Sequence, residues 1–181
     1  MKKKFYMFFL TLFFSIDCFA LILKSNGFKN NQKIPIKYTC EGKNISPQLF
    51  WSDVPESTKS FAIICDDPDA PTKDPFVHWI IFNISGEVRD LPENISPKKF
   101  FKKNKNISLR SAKQGIDSFG KIGFMGPCPP RGHGEHRYFF RIYALNNVLG
   151  LKAGSTKDQL LKAMKGHVLA EGKLIGKFER K

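Results

Sequence analysis

Gly126-Pro127-Cys128-Pro129-Pro130-Arg131-Gly132-His133-Gly134-Glu135-His136-Arg137-Tyr138-Phe139-Phe140 is a stiff loop that runs straight into a β-type segment. Its first nine residues, 126–134, hold three prolines and three glycines. Proline fixes φ and glycine permits φ > 0, so the stretch is built to hold one turning shape. His136 and Tyr138 alternate on the strand and share one face, while Arg137 points to the other and suits structural ion pairs. A second rigid constellation lies upstream, Asp66-Asp67-Pro68-Asp69-Ala70-Pro71, followed by His78-Trp79. Two carboxylates, two imidazoles and a phenol can converge on one pocket.

Around these segments the chain reads as short strands separated by turns. Ile34–Thr39 alternates weakly before the Cys40-Glu41-Gly42 turn, and Ser46–Trp51 follows. Ser60–Cys65 is a continuous apolar strand; His78–Ile84, rich in β-branched and aromatic residues, is a central one. Residues 85–123 are polar and irregular. Arg137–Leu145 is a long strand and Lys173–Phe178 a closing one. The tail supplies the helix: Ser155 or Thr156 caps Lys157–Lys165, with Leu160, Leu161 and Met164 on one apolar face. The fold class expected from this pattern is mostly antiparallel β with a C-terminal helix.

Residues 1–20 read as a cleavable signal peptide. Lys2, Lys3 and Lys4 precede a short apolar core from Phe5 to Phe14, and Ala20 suits the cleavage site. That core is too short for a spanning helix, which needs about 20 apolar residues. The expectation is therefore an exported protein, periplasmic or secreted, with residues 21–181 as one domain. The whole chain carries a formal net charge of +14; without Lys2, Lys3, Lys4 and Asp17 it carries +12. Such a charge attracts polyanions at long range. The basic residues are scattered except for Lys98–Lys105, and no zinc-finger or RNA-binding signature accompanies them, so nucleic acid is not expected as a partner. Three cysteines remain past Ala20. Cys65 lies in an apolar run, whereas Cys40 and Cys128 lie in turn-rich segments, so Cys40–Cys128 is the expected disulfide.

The chemistry of the two constellations allows several uses. Asp67 and Asp69 can bind a metal, share a proton, orient a histidine, or cap backbone N–H groups in an Asx turn. His78 lies close enough to that loop for an aspartate to hydrogen-bond its ring. His133 stands in the loop as a rim residue, and His167 reads as structural. Two histidines, a tyrosine hydroxyl and loop N–H groups suit a phosphate or carboxylate, with the aspartates holding the imidazoles protonated. The histidine spacing matches no standard zinc set, and no Gly-x-Ser-x-Gly elbow is present. Neither a metal nor a cofactor is expected. Cysteine catalysis at Cys128 with His136 as base, or acid–base work by His78 and His136, would make the protein a hydrolase; anion binding without catalysis is the leading reading.

Together with Thr39-Cys40-Glu41-Gly42, Ser46–Trp51, Ala163–Ala170 and Gly176, these segments resemble the phosphatidylethanolamine-binding protein family in its bacterial, Raf kinase inhibitor-like branch. The resemblance runs from about Ile34 to the C-terminus. It implies a Greek-key antiparallel β-sandwich with a small anion pocket near one end. By that resemblance the ligand-binding positions are Asp67, Asp69, Pro71, His78, Gly126, Pro127, Pro129, Pro130, His136 and Tyr138. The implied ligand is a phosphate or a phospholipid head group such as phosphorylethanolamine. Family members act mostly as binders and modulators, which also implies a protein partner whose interface the pocket tunes; a homodimer stays open. Phe124-Met125 departs from the family's usual Tyr before the loop, which removes one hydroxyl from the pocket rim.

Overall fold

The computed structural model describes residues 21–95 and 109–181; the expected leader and the basic run Lys98–Lys105 lie outside the described residues. Among the described residues, nine strands form two sheets: β1 Ile22–Lys24, β2 Gln32–Lys33, β3 Leu49–Ser52, β4 Ser60–Asp67, β5 Phe76–Ser85, β6 Asp90–Leu91, β7 Lys113–Gln114, β8 His136–Leu145 and β9 Val168–Phe178. The helix α1, Lys157–Met164, precedes β9. The small sheet has the order β1-β3-β6 and the large one β2-β9-β8-β4-β5-β7. After the β4–β5 hairpin the chain crosses to the small sheet and back, and β8 then pairs with β4 on the side away from β5. That long crossover gives the sandwich its Greek-key character. Among the described residues, the strand pairs are antiparallel except the two-residue β2–β9 pair.

The large sheet is covered on both faces, which explains the unbroken apolar run at Ser60–Cys65. Phe61, Ile63 and Cys65 face the small sheet with Trp51, Tyr138 and Phe140. Ala62 and Ile64 face the other way, against Leu149 and the helix residues Leu160 and Met164. Every residue of β4 is buried. Among the described residues, no helix is long and apolar enough to cross a membrane.

Several expectations change at the local level. Ile36–Tyr38 is a 3-10 turn instead of a strand, and Tyr38 drops into the core while Ile36 is exposed. The cap of α1 is Thr156: its Oγ1 accepts from Gln159 N–H at 3.2 Å, and Gln159 Oε1 accepts from Thr156 N–H at 2.9 Å. This reciprocal pair is a capping box. Leu161 is 40% exposed, so the buried stripe of α1 is Leu160 and Met164 alone. Cys40 and Cys128 form a disulfide with a Cα–Cα distance of 5.4 Å, and Cys65 is free and buried.

Candidate functional site

Three neighbouring strands, ordered β8-β4-β5, bring the site together. Because they alternate in direction, the end of β4 and the starts of β5 and β8 lie at one end of the sheet. Asp67, His78 and His136 occupy those three termini, which is how residues far apart in sequence meet. A cavity of about 240 Å3 opens there; Asp67, His78 and His136 supply its ionisable groups, and Pro71, Phe76, Phe119, Met125, Pro129 and Pro130 much of its apolar wall.

His78 owes its direction to an irregularity. On β5, Trp79 pairs with Cys65 and Val77 with Asp66, so His78 is an extra residue bulged out of the ladder. Val77 and Trp79 consequently pack on opposite faces, which simple alternation forbids. A bulge of this kind re-aims a side chain at the end of a sheet. The His78 ring meets Tyr138 edge-on at 5.1 Å. Its Nδ1–H donates to the Met125 carbonyl at 2.9 Å, which leaves Nε2 for the cavity. Burial lowers its pKa, and the Met125 carbonyl offsets only part of that. The expectation that neighbouring aspartates hold this imidazole protonated therefore fails: desolvation outweighs the charges of Asp67 and Asp117.

The aspartates divide their work. Asp67 Oδ1 accepts from Asp69 N–H at 2.9 Å, an Asx turn, while Oδ2 accepts from His136 Nδ1–H at 2.8 Å. One carboxylate thus shapes the loop and orients His136, with His78 held by a backbone carbonyl instead. Asp69 stands outside the cavity. Its carboxylate takes Arg137 Nε and Nη2 at 2.8 and 2.7 Å and the Arg137 N–H at 2.9 Å, and this bidentate guanidinium lowers its pKa. Arg137 makes the ion pair its outward position suggests. Asp66 faces the opposite side of the sheet and binds Arg141 and Lys157.

The loop works as a wall more than as a donor set. Gly126 and Pro127 sit behind the lining: Gly126 N–H donates to Asn44 Oδ1 at 2.7 Å, and Pro127 O accepts from Cys40 N–H at 3.1 Å. A β-carbon at Gly126 would lie 2.3 Å from the Tyr38 carbonyl oxygen, so this close approach requires glycine. Pro129 and Pro130 have no N–H to offer. Of the loop N–H groups, that of Gly126 is thus taken up by Asn44 and that of His133 by the Pro130 carbonyl. His133, Ala70, Thr72, Phe76, Phe119 and Met125 complete the surroundings of the site. The apolar members carry no chemical signature in the sequence, so only the fold reveals them. His167 pairs with Asn146 away from the site, at 2.9 Å.

Tyr138 does not line the cavity. It is fully buried behind His78, and its hydroxyl meets no partner with good hydrogen-bond geometry among the described residues. Burial, aided by the Asp67 charge, pushes the phenol pKa up beyond its usual range. An unsatisfied buried hydroxyl costs about 1–3 kcal/mol. Tyr138→Phe is therefore expected to leave stability unchanged or raise it by about 1 kcal/mol in denaturant unfolding. A loss of more than about 1 kcal/mol would instead report a real hydrogen bond from the hydroxyl to Asp67.

The family model described as phosphatidylethanolamine-binding protein matches residues 24–179. A UPF0098 protein of Aquifex aeolicus is 47% identical over 157 residues, spanning 86% of either chain. One from Methanothermobacter thermautotrophicus is 48% identical over 158 residues, 87% of this chain and 98% of that one. Among solved structures, Escherichia coli YbcL aligns with a TM-score of 0.80 at 33% identity, covering 90% of this chain and 99% of its own. The homologue CT736 of Chlamydia trachomatis aligns with a TM-score of 0.78 at 40% identity and the same coverage. A β-sandwich with this strand order, its rigid loops and these matches along nearly the whole described chain have one reading: the chain belongs to the phosphatidylethanolamine-binding protein family.

Proposed function

We propose that the protein binds a small phosphate- or carboxylate-bearing ligand, such as a phospholipid head group, in the 240 Å3 cavity, and does so in an oxidising compartment outside the cytoplasm. The convergence of His78 and His136 beside Asp67 on the floor of an otherwise apolar pocket carries this reading. Apolar walls exclude water and strengthen a charge-assisted hydrogen bond to an anion. They also accept the carbon skeleton next to a head group. Asp67 repels an anion, so binding requires at least one imidazole on the floor to be cationic. Cys128 is bonded to Cys40, and the Thr72 hydroxyl donates to the Asp74 carbonyl at 2.7 Å, so neither stands ready as a nucleophile. A binder fits these groups better than a hydrolase. The disulfide and the expected leader support export.

Calorimetric titration with phosphate and phosphorylethanolamine tests the site. Binding by the wild type and loss in both His78→Ala and His136→Ala is the expected result; retention in both variants would remove the ligand from this cavity. The pH dependence follows from His78. Its pKa lies below the ordinary value of 6.5, so the empty site holds the ring neutral near pH 7. A ligand that needs Nε2–H must draw in a proton, and affinity then strengthens as pH falls. Sulfate, which stays a dianion throughout, is expected to bind about tenfold more tightly per pH unit for each proton taken up between pH 8 and 6. Flat sulfate affinity across that range would rule out an imidazolium-based site.

A further inference from the structure

Both nitrogens of His136 are engaged. Nδ1 lies 2.8 Å from Asp67 Oδ2, and Nε2 lies 2.8 Å from Nδ1 of His133. An ionised carboxylate only accepts, so His136 Nδ1 carries a hydrogen. Two imidazole nitrogens at this distance share a single hydrogen between them. While His136 is neutral, its Nε2 is the acceptor and His133 Nδ1–H the donor. In that state the most buried imidazole of the pocket has no hydrogen to offer an anion.

The loop is shaped to keep His133 there. Gly132 and Gly134 flank it with φ of +75° and +87°, and a β-carbon on either would meet nothing within 4 Å. These glycines serve backbone conformation alone. His133 N–H donates to the Pro130 carbonyl at 3.2 Å and closes the turn. His136 is 2% exposed, whereas His133 is open to solvent. Of the other groups around His136, His78 from β5 shares the cavity with its Nε2 unengaged among the described residues, Asp67 from β4 accepts at Nδ1, and Asp69 is held by Arg137. Glu135 pairs with Lys177 of β9 at 3.2 Å, and Tyr138 is sealed behind His78. Among the described residues, His133 is the group that a hydrogen bond places on Nε2, and it is itself exposed.

We propose that His133 gates the pocket: it occupies His136 Nε2 in the empty site, supplies its proton, and swings away when an anion binds. The proton balance is simple. His133 Nε2 takes a proton from solvent, and the hydrogen on its Nδ1 passes to His136 Nε2. His133 is left neutral with its hydrogen on Nε2, and His136 becomes an imidazolium held by Asp67. The Nδ1 lone pair of His133 then faces the incoming anion and is repelled, and the anion accepts from His136 Nε2–H. The last step rests on the anion-binding reading above; the hydrogen-bonded chain in the empty protein does not.

Two measurements test the gate. Nitrogen-15 NMR of the ligand-free protein at pH 7 is expected to show His136 Nε2 as an acceptor and His133 protonated on Nδ1. Phosphate titration of His133→Ala is expected to show binding about threefold to tenfold tighter than wild type, because a competing hydrogen bond is gone. His133→Gln, whose amide can donate the same bond, is expected to return affinity toward wild type. A stiffening role or a direct contact predicts the opposite sign for His133→Ala. Wild-type binding that weakens in His133→Ala overturns the gate alone, as does an empty site with the hydrogen on His136 Nε2. Absence of binding in wild type and His133→Ala alike overturns the anion-binding reading and the gate with it.

Discussion

Asp66→Asn is expected to lower the free energy of unfolding by about 3 kcal/mol, which at this chain length is a fall in Tm of roughly 6–12 °C. Asp66 faces away from the cavity, toward α1. Its Oδ1 accepts from Arg141 Nη1, and its Oδ2 accepts from Lys157 Nζ at 2.5 Å. The Asp66 side chain is 3% exposed, and those of Arg141 and Lys157 are 27% and 22% exposed. Asparagine keeps the shape and can accept one hydrogen bond, so the change isolates the charge. Two cations then face each other, three-quarters covered, with no counter-charge between them. Breaking a buried pair from one side costs about 3–5 kcal/mol. The lower end applies because Lys157 opens α1 and can extend into solvent on its flexible stem. Replacing the pair together, Asp66→Leu with Arg141→Leu, is expected to recover most of the loss, since apolar residues of similar volume avoid the desolvation cost. A loss below about 1 kcal/mol in Asp66→Asn would show that this cluster does not hold α1 to the sheet.

The same strand shows why the fold was legible and the site only partly so. Ser60–Cys65 announces a strand buried on both faces, and such a strand needs covering layers on each side. Thr156 and Gln159 write the start of α1 into adjacent residues. The faces of His136, Arg137 and Tyr138 follow from alternation, and Arg137 does turn outward to Asp69. Alternation fails at His78, because the bulge depends on the register of β4 against β5, a property of the pair and not of either sequence. Proximity along the chain also points away from the aspartate's partner: eleven positions separate Asp67 from His78, yet the neighbouring strand β8 delivers His136 to it instead. Alternation gives Tyr138 its face but not its depth, because depth depends on what His78 covers. The Cys40–Cys128 pair could be read by elimination among three cysteines, a small enough set for turn composition to choose.

Replacing that pair, Cys40→Ser with Cys128→Ser, is expected to cost up to about 4.6 kcal/mol, the chain-entropy value for the sequence separation of 88 residues. The bond ties the 3-10 turn segment to the loop that walls the cavity, and Cys128 itself lines that cavity. The loop is not released by the change, because Gly126 N–H still donates to Asn44 and Cys40 N–H to Pro127. Phosphate affinity is accordingly expected to fall by less than tenfold while stability falls by several kcal/mol. Kinetics separate the two sources of the loss. If the bond acts on the unfolded chain, the variant refolds more slowly and unfolds at nearly the wild-type rate. That partition also requires the transition state to have brought residues 40 and 128 together, and β4–β8 pairing accomplishes most of this by closing a comparable loop. A variant that refolds at the wild-type rate and unfolds faster would place the stabilisation in the native wall of the pocket. Addition of reductant to the wild type should reproduce whichever pattern the variant shows, since it removes the same covalent link without changing the sequence.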